Sequence, residues 1–387
     1  MLLAWAAILG TAKALRLDRR GMDLTFYSLV YRNPGVQDVL VRILGRTKRG
    51  IRVFADVSVV AGFLMMGFAF WFLLDNAAKY FVAPQDFAEL TVLIPGVTLT
   101  SLQPIMYFLM SIPIVLVMHE GAHGIVAALE RIRIKNGGFA IFVSLIAGFV
   151  EPDEEEFSRA RKISRLRVIG AGATSNVLFA AALGALLLTN PVFALVLPEP
   201  LLGMFYESPE GVMVLSVMEG MGAEAAGIMA GDIITGVGGT DILRPEHFAD
   251  LGLAPGDTVS VSILRDGIPM EFVVNVMESP DEPGRGLIGI LRDNTFSYKP
   301  VLDFIQWGDP NLSLFLLWLW MISFFIGIIN MLPLPILDGG KFIHTIIEGR
   351  MAEQTVTSVM YIIYAFTFVL FALNIALSYL KAGWFTI

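Results

Sequence analysis

Residues 105–129 read Ile-Met-Tyr-Phe-Leu-Met-Ser-Ile-Pro-Ile-Val-Leu-Val-Met-His-Glu-Gly-Ala-His-Gly-Ile-Val-Ala-Ala-Leu. The run is long enough to cross a bilayer, which takes about 20 apolar residues, yet it carries His119, Glu120 and His123 near its end. Ionisable groups in an apolar helix are costly unless they work or pair. Positions i and i+4 share one helix face, so both imidazoles can reach a single ion with Glu120 beside it. The plain alternative is a pair of helix-packing histidines with a stray carboxylate.

The rest of the chain agrees with a membrane setting. Of its 387 residues, 56% are hydrophobic and 16% charged, with a mean hydropathy of +0.70, well above a soluble domain. About six spans are expected, near 1–15, 57–75, 105–129, 168–189, 312–333 and 356–380, the first being short enough to be an interfacial anchor instead. Ten Lys and Arg lie between Lys13 and Arg52, one (Lys79) between 76 and 103, and eight between 130 and 167. Basic loops stay in the cytoplasm, so both basic segments are expected there and the amino terminus faces outward. A cleaved signal peptide fits residues 1–15 poorly, because the charges follow the apolar run. The net charge of -8, with no basic face, excludes nucleic acid as an expected partner. There is no Cys, so a metal site must be built from His, Asp or Glu.

Residues 139–150 are apolar but too short to span and follow Gly137 and Gly138, the pattern of a re-entrant or membrane-edge hairpin. The alternative is a packed loop without a role. Asp153 with Glu156 resembles a capping box, which predicts a surface helix carrying Arg159 to Arg167. From Pro198 to about Arg292 the pattern changes to short strand-like stretches at 212–217, 232–237, 258–264 and 270–276, a strand-rich domain placed outside the cytoplasm by the span count. The expected divisions are 1–54 (first span and basic cytoplasmic loop), 55–197 (first part of a transmembrane core), 198–295 (the inserted domain) and 296–387 (second part of the core).

Two histidines do not complete a catalytic zinc site, which usually has three protein ligands and an open position. His247 lies in the inserted domain and His344 just beyond the fifth span. Asp338 is the better third ligand. It sits in Asn330-Met-Leu-Pro-Leu-Pro-Ile-Leu-Asp338-Gly-Gly340, where Pro333 and Pro335 break a span at membrane depth. Irregular backbone there is tolerated only inside protein or beside a wet cavity. The third and fifth spans both run inward, so the two motifs reach the same level.

These features together resemble the site-2 protease family of intramembrane zinc metalloproteases: His119-Glu120-Gly-Ala-His123 in a span, Asn330 to Gly340 with its Pro-x-Pro-x-Leu-Asp-Gly-Gly, and a PDZ-like insertion. The resemblance covers most of the chain from about residue 55. It implies one Zn2+ held by His119, His123 and Asp338, with Glu120 as catalytic base. Ala171-Gly172-Ala173-Thr174-Ser175-Asn176 resembles the family's Ala-Gly-Pro-x-x-Asn, with Ala173 in place of the Pro, so Asn176, and with it Asn330, is assigned to substrate contact. Gly211, Val212, Met213 and Val214 stand in the place of a PDZ carboxylate-binding loop. The implied fold is a polytopic α-helical membrane protein with a re-entrant hairpin and an inserted α/β PDZ-like extracytoplasmic domain. The implied partners are the lipid bilayer and single-pass transmembrane substrates, whose opened segment would add as a strand to the hairpin. A cation transporter using the same His, Glu and Asp is the reading from another class; it lacks paired inverted repeats. A catalytically dead scaffold is a third, and no catalytic group is missing to support it.

Overall fold

The structure, a computed structural model, describes residues 2–17, 21–142, 145–207, 209, 211–243, 245–248, 251–265, 267–279, 284–293, 298–305, 307 and 310–383. It forms two compact units, Met1–Ala182 with Trp318–Ile387, and Leu183–Leu317.

The first unit opens with α1 (Leu2–Ala14), β1 (Met22–Leu24) and β2 (Ser28–Asn33). At about 1.5 Å per residue the 13 residues of α1 reach about 20 Å, short of a hydrocarbon core about 30 Å thick. Trp5 and Ala12 are instead buried with Leu29 of β2, and the Trp5 indole donates to the Phe26 carbonyl at 2.8 Å. The expected first span is therefore a short helix packed on a sheet. Among the described residues five helices, not six, are long and apolar enough to cross. The first is most of α2 (Val36–Val82), which kinks at Thr47, where the backbone leaves helical geometry and the hydroxyl turns back to the Ile43 carbonyl at 3.0 Å.

The second span is α3 (Leu102–Leu129), followed by β3 (Ile134–Phe142) and β4 (Leu145–Pro152). β3 and β4 pair antiparallel, with Phe139 opposite Gly148 and Ala140 opposite Ala147. The apolar run at 139–150 is thus a hairpin; Val143 and Ser144 lie outside the described residues. It is also part of something larger, since β2 pairs with β3 and the sheet order is β1-β2-β3-β4, with β4 at one edge. The basic segment expected as a cytoplasmic loop contributes two of the four strands.

Asp153 caps α4 (Glu154–Arg159) by accepting from the Glu155 and Glu156 N–H groups. The box is not reciprocal, because Glu156 takes the Arg133 N–H instead. The helix stops at Arg159, and Arg165 and Arg167 belong to the third span, α5 (Lys162–Leu187). Arg167 bonds Asp56 and Glu130, tying α5 to α2 and α3.

The second unit holds α6 (Glu199–Phe205), β5 (Val212–Val217), α7 (Gly222–Ala226), β6 (Ile233–Val237), β7 (Thr240–Asp241), β8 (Thr258–Arg265) and β9 (Ile268–Asn275). Then come the paired β10 (Met277–Glu278) and β11 (Gly286–Leu287), and β12 (Ile290–Asp293). The main sheet runs β12-β5-β6-β8-β9, with β7 on β6. The four expected strand stretches fall on β5, β6, β8 and β9. Alternate residues of these strands, including Val212, Val214, Ile234, Val261, Ile263 and Val274, close one apolar core.

The fourth span lies in α8 (Pro310–Asn330); α9 (Asp338–Ile347) and the fifth span, α10 (Glu353–Ala382), complete the first unit. The break between α8 and α9 requires its two glycines. A Cβ on Gly339 would lie 2.2 Å from the Met331 carbonyl oxygen, and one on Gly340 2.2 Å from that of Leu334. Buried Asn374 joins α10 to α2 by accepting from Asn76 and donating to the Leu73 carbonyl, each at 3.0 Å.

In the second unit, Asp232 is buried and bound by both Nε and Nη2 of Arg265 at 2.7 Å. Burial alone would raise its pKa, but the Arg265 bonds and the Met229 N–H outweigh this and hold it below the usual carboxylate range. The ion pair therefore contributes its full stabilisation above the unfolded-chain value of about 3.9 and loses it as pH falls through the lower folded value. Hydrogen exchange of β6 and β8 should accelerate as pH drops below about 4, beyond the intrinsic pH effect. Asp232→Asn should flatten that dependence and destabilise the unit by roughly 1–3 kcal/mol; an unchanged profile would refute the assignment.

Candidate metal centre

α3 presents His119 and His123 one turn apart, and α9 presents Asp338 from its first turn, where a carboxylate also suits the helix dipole. The three ligand atoms form a near-equilateral triangle. His119 Nε2 and His123 Nε2 are each 3.1 Å from Asp338 Oδ2 and 3.1 Å from each other. Asp338 and His119 are buried, at 8% and 5% exposure.

The outer nitrogens show which lone pairs are free. His123 Nδ1 lies 2.7 Å from the Val168 carbonyl of α5. A carbonyl only accepts, so Nδ1 carries the proton and a neutral His123 turns a bare Nε2 lone pair inward. The side-chain NH2 of Asn176 is placed 3.1 Å from His119 Nδ1, and the Oδ1 of that fully buried amide has no partner among the described residues. If His119 Nε2 is to hold an ion, Nδ1 must carry the proton, and the Asn176 amide must turn end for end to offer it the carbonyl oxygen. The Asn176 NH2 then occupies the unpartnered position and remains a free donor. Asn176 was assigned to substrate contact; its second task, orienting His119, is visible only in three dimensions.

These residues fit a metal. Two imidazole nitrogens and a carboxylate oxygen converge on one point, a donor set that suits zinc. Ligand atoms at about 2.0–2.2 Å around a tetrahedral zinc lie roughly 3.3 Å apart, close to the observed 3.1 Å edges. Room for the ion comes from Gly172 on α5, where a Cβ would lie 2.3 Å from His123 Nε2 and 2.7 Å from His119 Nε2. The sequence carried Gly172 only as part of a motif; its role as the small wall of the site needed the structure. Among the described residues these three are the group able to hold an ion. His344 is half exposed on α9 with its Nδ1 3.6 Å from Glu348, and His247 sits in the second unit beside the Asp241 carbonyl.

The chain matches Peptidase family M50 over residues 107–372, a stretch that begins in α3 and ends in α10 and so includes all three ligand positions. It belongs to that family. Membership makes it a membrane zinc metalloprotease of the site-2 protease type and leaves the cation-transporter reading without support. The chain is 29% identical over 156 residues, 40% of its length, to a membrane-bound transcription factor site-2 protease homolog of Arabidopsis thaliana. It is 24% identical over 287 residues, 73% of its length, to an uncharacterised protein of Methanocaldococcus jannaschii. The matches span 28% and 67% of those proteins. A solved PDZ domain of an SdrC-like protein from Listeria monocytogenes is 27% identical, covering 21% of this chain and 87% of that one at a TM-score of 0.20.

The remaining expected residues are not gathered at this centre. Glu120 is adjacent in sequence, and its Oε2 accepts the Val150 N–H of β4 at 3.1 Å. Asn330 ends α8 half-buried. Gly211 to Val214, the expected peptide-binding loop, lies at the start of β5. Val212 and Val214 are core residues, and β5 is paired with β12 on one side and β6 on the other, which leaves no free edge. The free edges of that sheet are β12 and β9.

Because the site depends on the space beside Gly172, Gly172→Ala should lower zinc content well below one per chain while the spans remain folded. Asp338→Ala should do the same by removing a ligand. Metal analysis of purified protein checks both, and full zinc occupancy in Gly172→Ala would show that the imidazoles can move aside.

Proposed function

We propose that this protein hydrolyses peptide bonds within or near the transmembrane helices of membrane-anchored, single-pass substrates, using one zinc held by His119, His123 and Asp338. The observation that carries this is the 3.1 Å triangle of two imidazole nitrogens and a carboxylate oxygen on helices of a five-span unit. Zinc, when bound, acidifies a water and polarises the scissile carbonyl. Glu120, next to a ligand, takes a proton from the attacking water and delivers it to the amide nitrogen as the C–N bond breaks. The free donor end of Asn176 is suited to the carbonyl oxygen as it gains negative charge. β4, an edge strand beginning 16 residues after Leu129 and running beside α3, supplies the backbone to which an unwound substrate segment pairs.

Basic residues between Lys13 and Arg52 and between 130 and 167 favour a cytoplasmic location for both segments. The active centre then lies towards the cytoplasmic side, and the second unit lies outside. The packing of α1 on the sheet favours a place for residues 2–14 beside the basic segment, as an alternative to the outward amino terminus expected from six spans. The second unit acts by bulk rather than by docking a peptide at 211–214, since that segment is buried and paired. Deleting about 206–292 should therefore let substrates with long external domains be cut while trimmed ones are cut as before. Unchanged discrimination with zinc intact would leave the unit without a selective role.

The central test combines metal analysis with cleavage of a panel of single-span substrates in lipid nanodiscs. Glu120→Gln should retain one zinc per chain and lose cleavage by at least about 10²-fold, in line with removal of a general base. Near wild-type cleavage would remove Glu120 from the mechanism, and failure of the wild type to cut any panel member would sink the proposed function.

A further inference from the structure

In the free protein the carboxylate assigned as catalytic base is held by the strand assigned to receive substrate. Glu120 Oε2 accepts the backbone N–H of Val150 at 3.1 Å. Val150 faces Gly137 across the β3–β4 ladder. Since its N–H leaves the sheet towards α3, Val150 occupies a non-hydrogen-bonded pair, and Gly148 and Ile146 send their N–H groups out along the same edge. Among the described residues no further strand lies beyond β4 in the sheet order. An extended peptide adding to β4 would use these donors, and one of them is already taken by Glu120.

The geometry points to Val150 N–H as a shared donor, bound by Glu120 before substrate arrives and taken by a substrate carbonyl on docking, so that strand addition itself releases the base. This rests on the strand-addition reading above and goes beyond it by coupling binding to catalysis through one named hydrogen bond. An N–H bound to a carboxylate is stronger than one bound to a neutral carbonyl, so the exchange at Val150 alone is unfavourable. It must be offset by the bonds a substrate makes at Gly148 and Ile146. A transmembrane segment that is still helical has its carbonyls committed to its own i+4 N–H groups and has none to offer. Glu120 is then freed only by a segment that has already unwound. Val150 is a positioning residue in this scheme, and its role lies in the main chain. Its side chain packs in the apolar cluster around Leu40 and Ala122.

The test compares two inactive variants whose zinc content is verified. Glu120→Gln keeps a side-chain acceptor for the Val150 N–H; Glu120→Ala has none. Equilibrium binding of a fluorophore-labelled single-span peptide that the wild type cleaves is measured in nanodiscs. Glu120→Ala should bind about two- to tenfold more tightly than Glu120→Gln, the range of one net hydrogen bond. The difference should vanish when each is combined with Val150→Pro, which removes the donor, but persist with Val150→Ala, which keeps it. Equal affinities of the two Glu120 variants, with Val150→Pro still weakening the binding of both, would overturn the shared donor and leave strand addition standing. If Val150→Pro weakens neither, strand addition at this edge is wrong and the coupling falls with it. Hydrogen exchange at the Val150 amide provides a readout without any proline variant. Exchange should be slower in Glu120→Gln than in Glu120→Ala without peptide, and equal rates would overturn the proposal.

Discussion

Two imidazole nitrogens and a carboxylate oxygen meet at one point, each 3.1 Å from the others, close to the spacing of ligands gathered around one zinc ion. Much of the first unit serves to hold this convergence. α3 supplies two of the groups one turn apart. α5 lies against them with Gly172 where any side chain would collide and with the Val168 carbonyl and Asn176 amide behind the rings. α8 holds α5 in turn through the Ser323 hydroxyl, which donates to the Asn176 carbonyl at 2.9 Å. The tight α8–α9 turn, made possible by Gly339 and Gly340, delivers Asp338.

Membrane burial makes this economy necessary. A charged group away from water is tolerated when it is paired, and the two arginines in the first turns of α5 are. Arg167 is shared by Asp56 and Glu130, and Arg165 reaches Glu348 at 2.7 and 2.8 Å. Asn76 and Asn374 satisfy one another across α2 and α10. One end of the buried Asn176 amide has no partner among the described residues, as is true of Arg165 Nε and the Thr91, Ser111 and Thr174 hydroxyls; such a group costs free energy in the resting protein, and beside His119 a ligand would recover it.

The four-stranded sheet extends the site beyond the helices. Its β1 and β2 come from the basic amino-terminal region, while β3 and β4 come from the segment after α3. The strand whose Val150 N–H meets the Glu120 carboxylate is thereby stiffened from behind by residues more than 100 positions earlier, as in the pairing of Tyr31 with Phe139. A two-stranded hairpin alone would be marginal; four strands with α1 packed on them give β4 a defined edge.

The sequence by itself determined what depends on local chemistry and period: His119, Glu120 and His123 on one apolar helix, the broken span that ends at Asp338, a hairpin too short to cross, and the alternating strands of the second unit. Those follow from i, i+4 spacing, proline and glycine chemistry, and the length of an apolar run. The tertiary structure decided what depends on residues far apart in the chain. α1 read as a short span because apolarity does not distinguish lipid from a sheet as the surface covered. β2 was hidden because its partner β3 lies over 100 residues away, and the burial of Val212 and Val214 came from the strands paired on both sides of β5. The Val168 carbonyl, the cradle at Gly172 and the bond from Val150 to Glu120 had no local signal, since a backbone group carries no residue identity and becomes specific only through what the fold places opposite it.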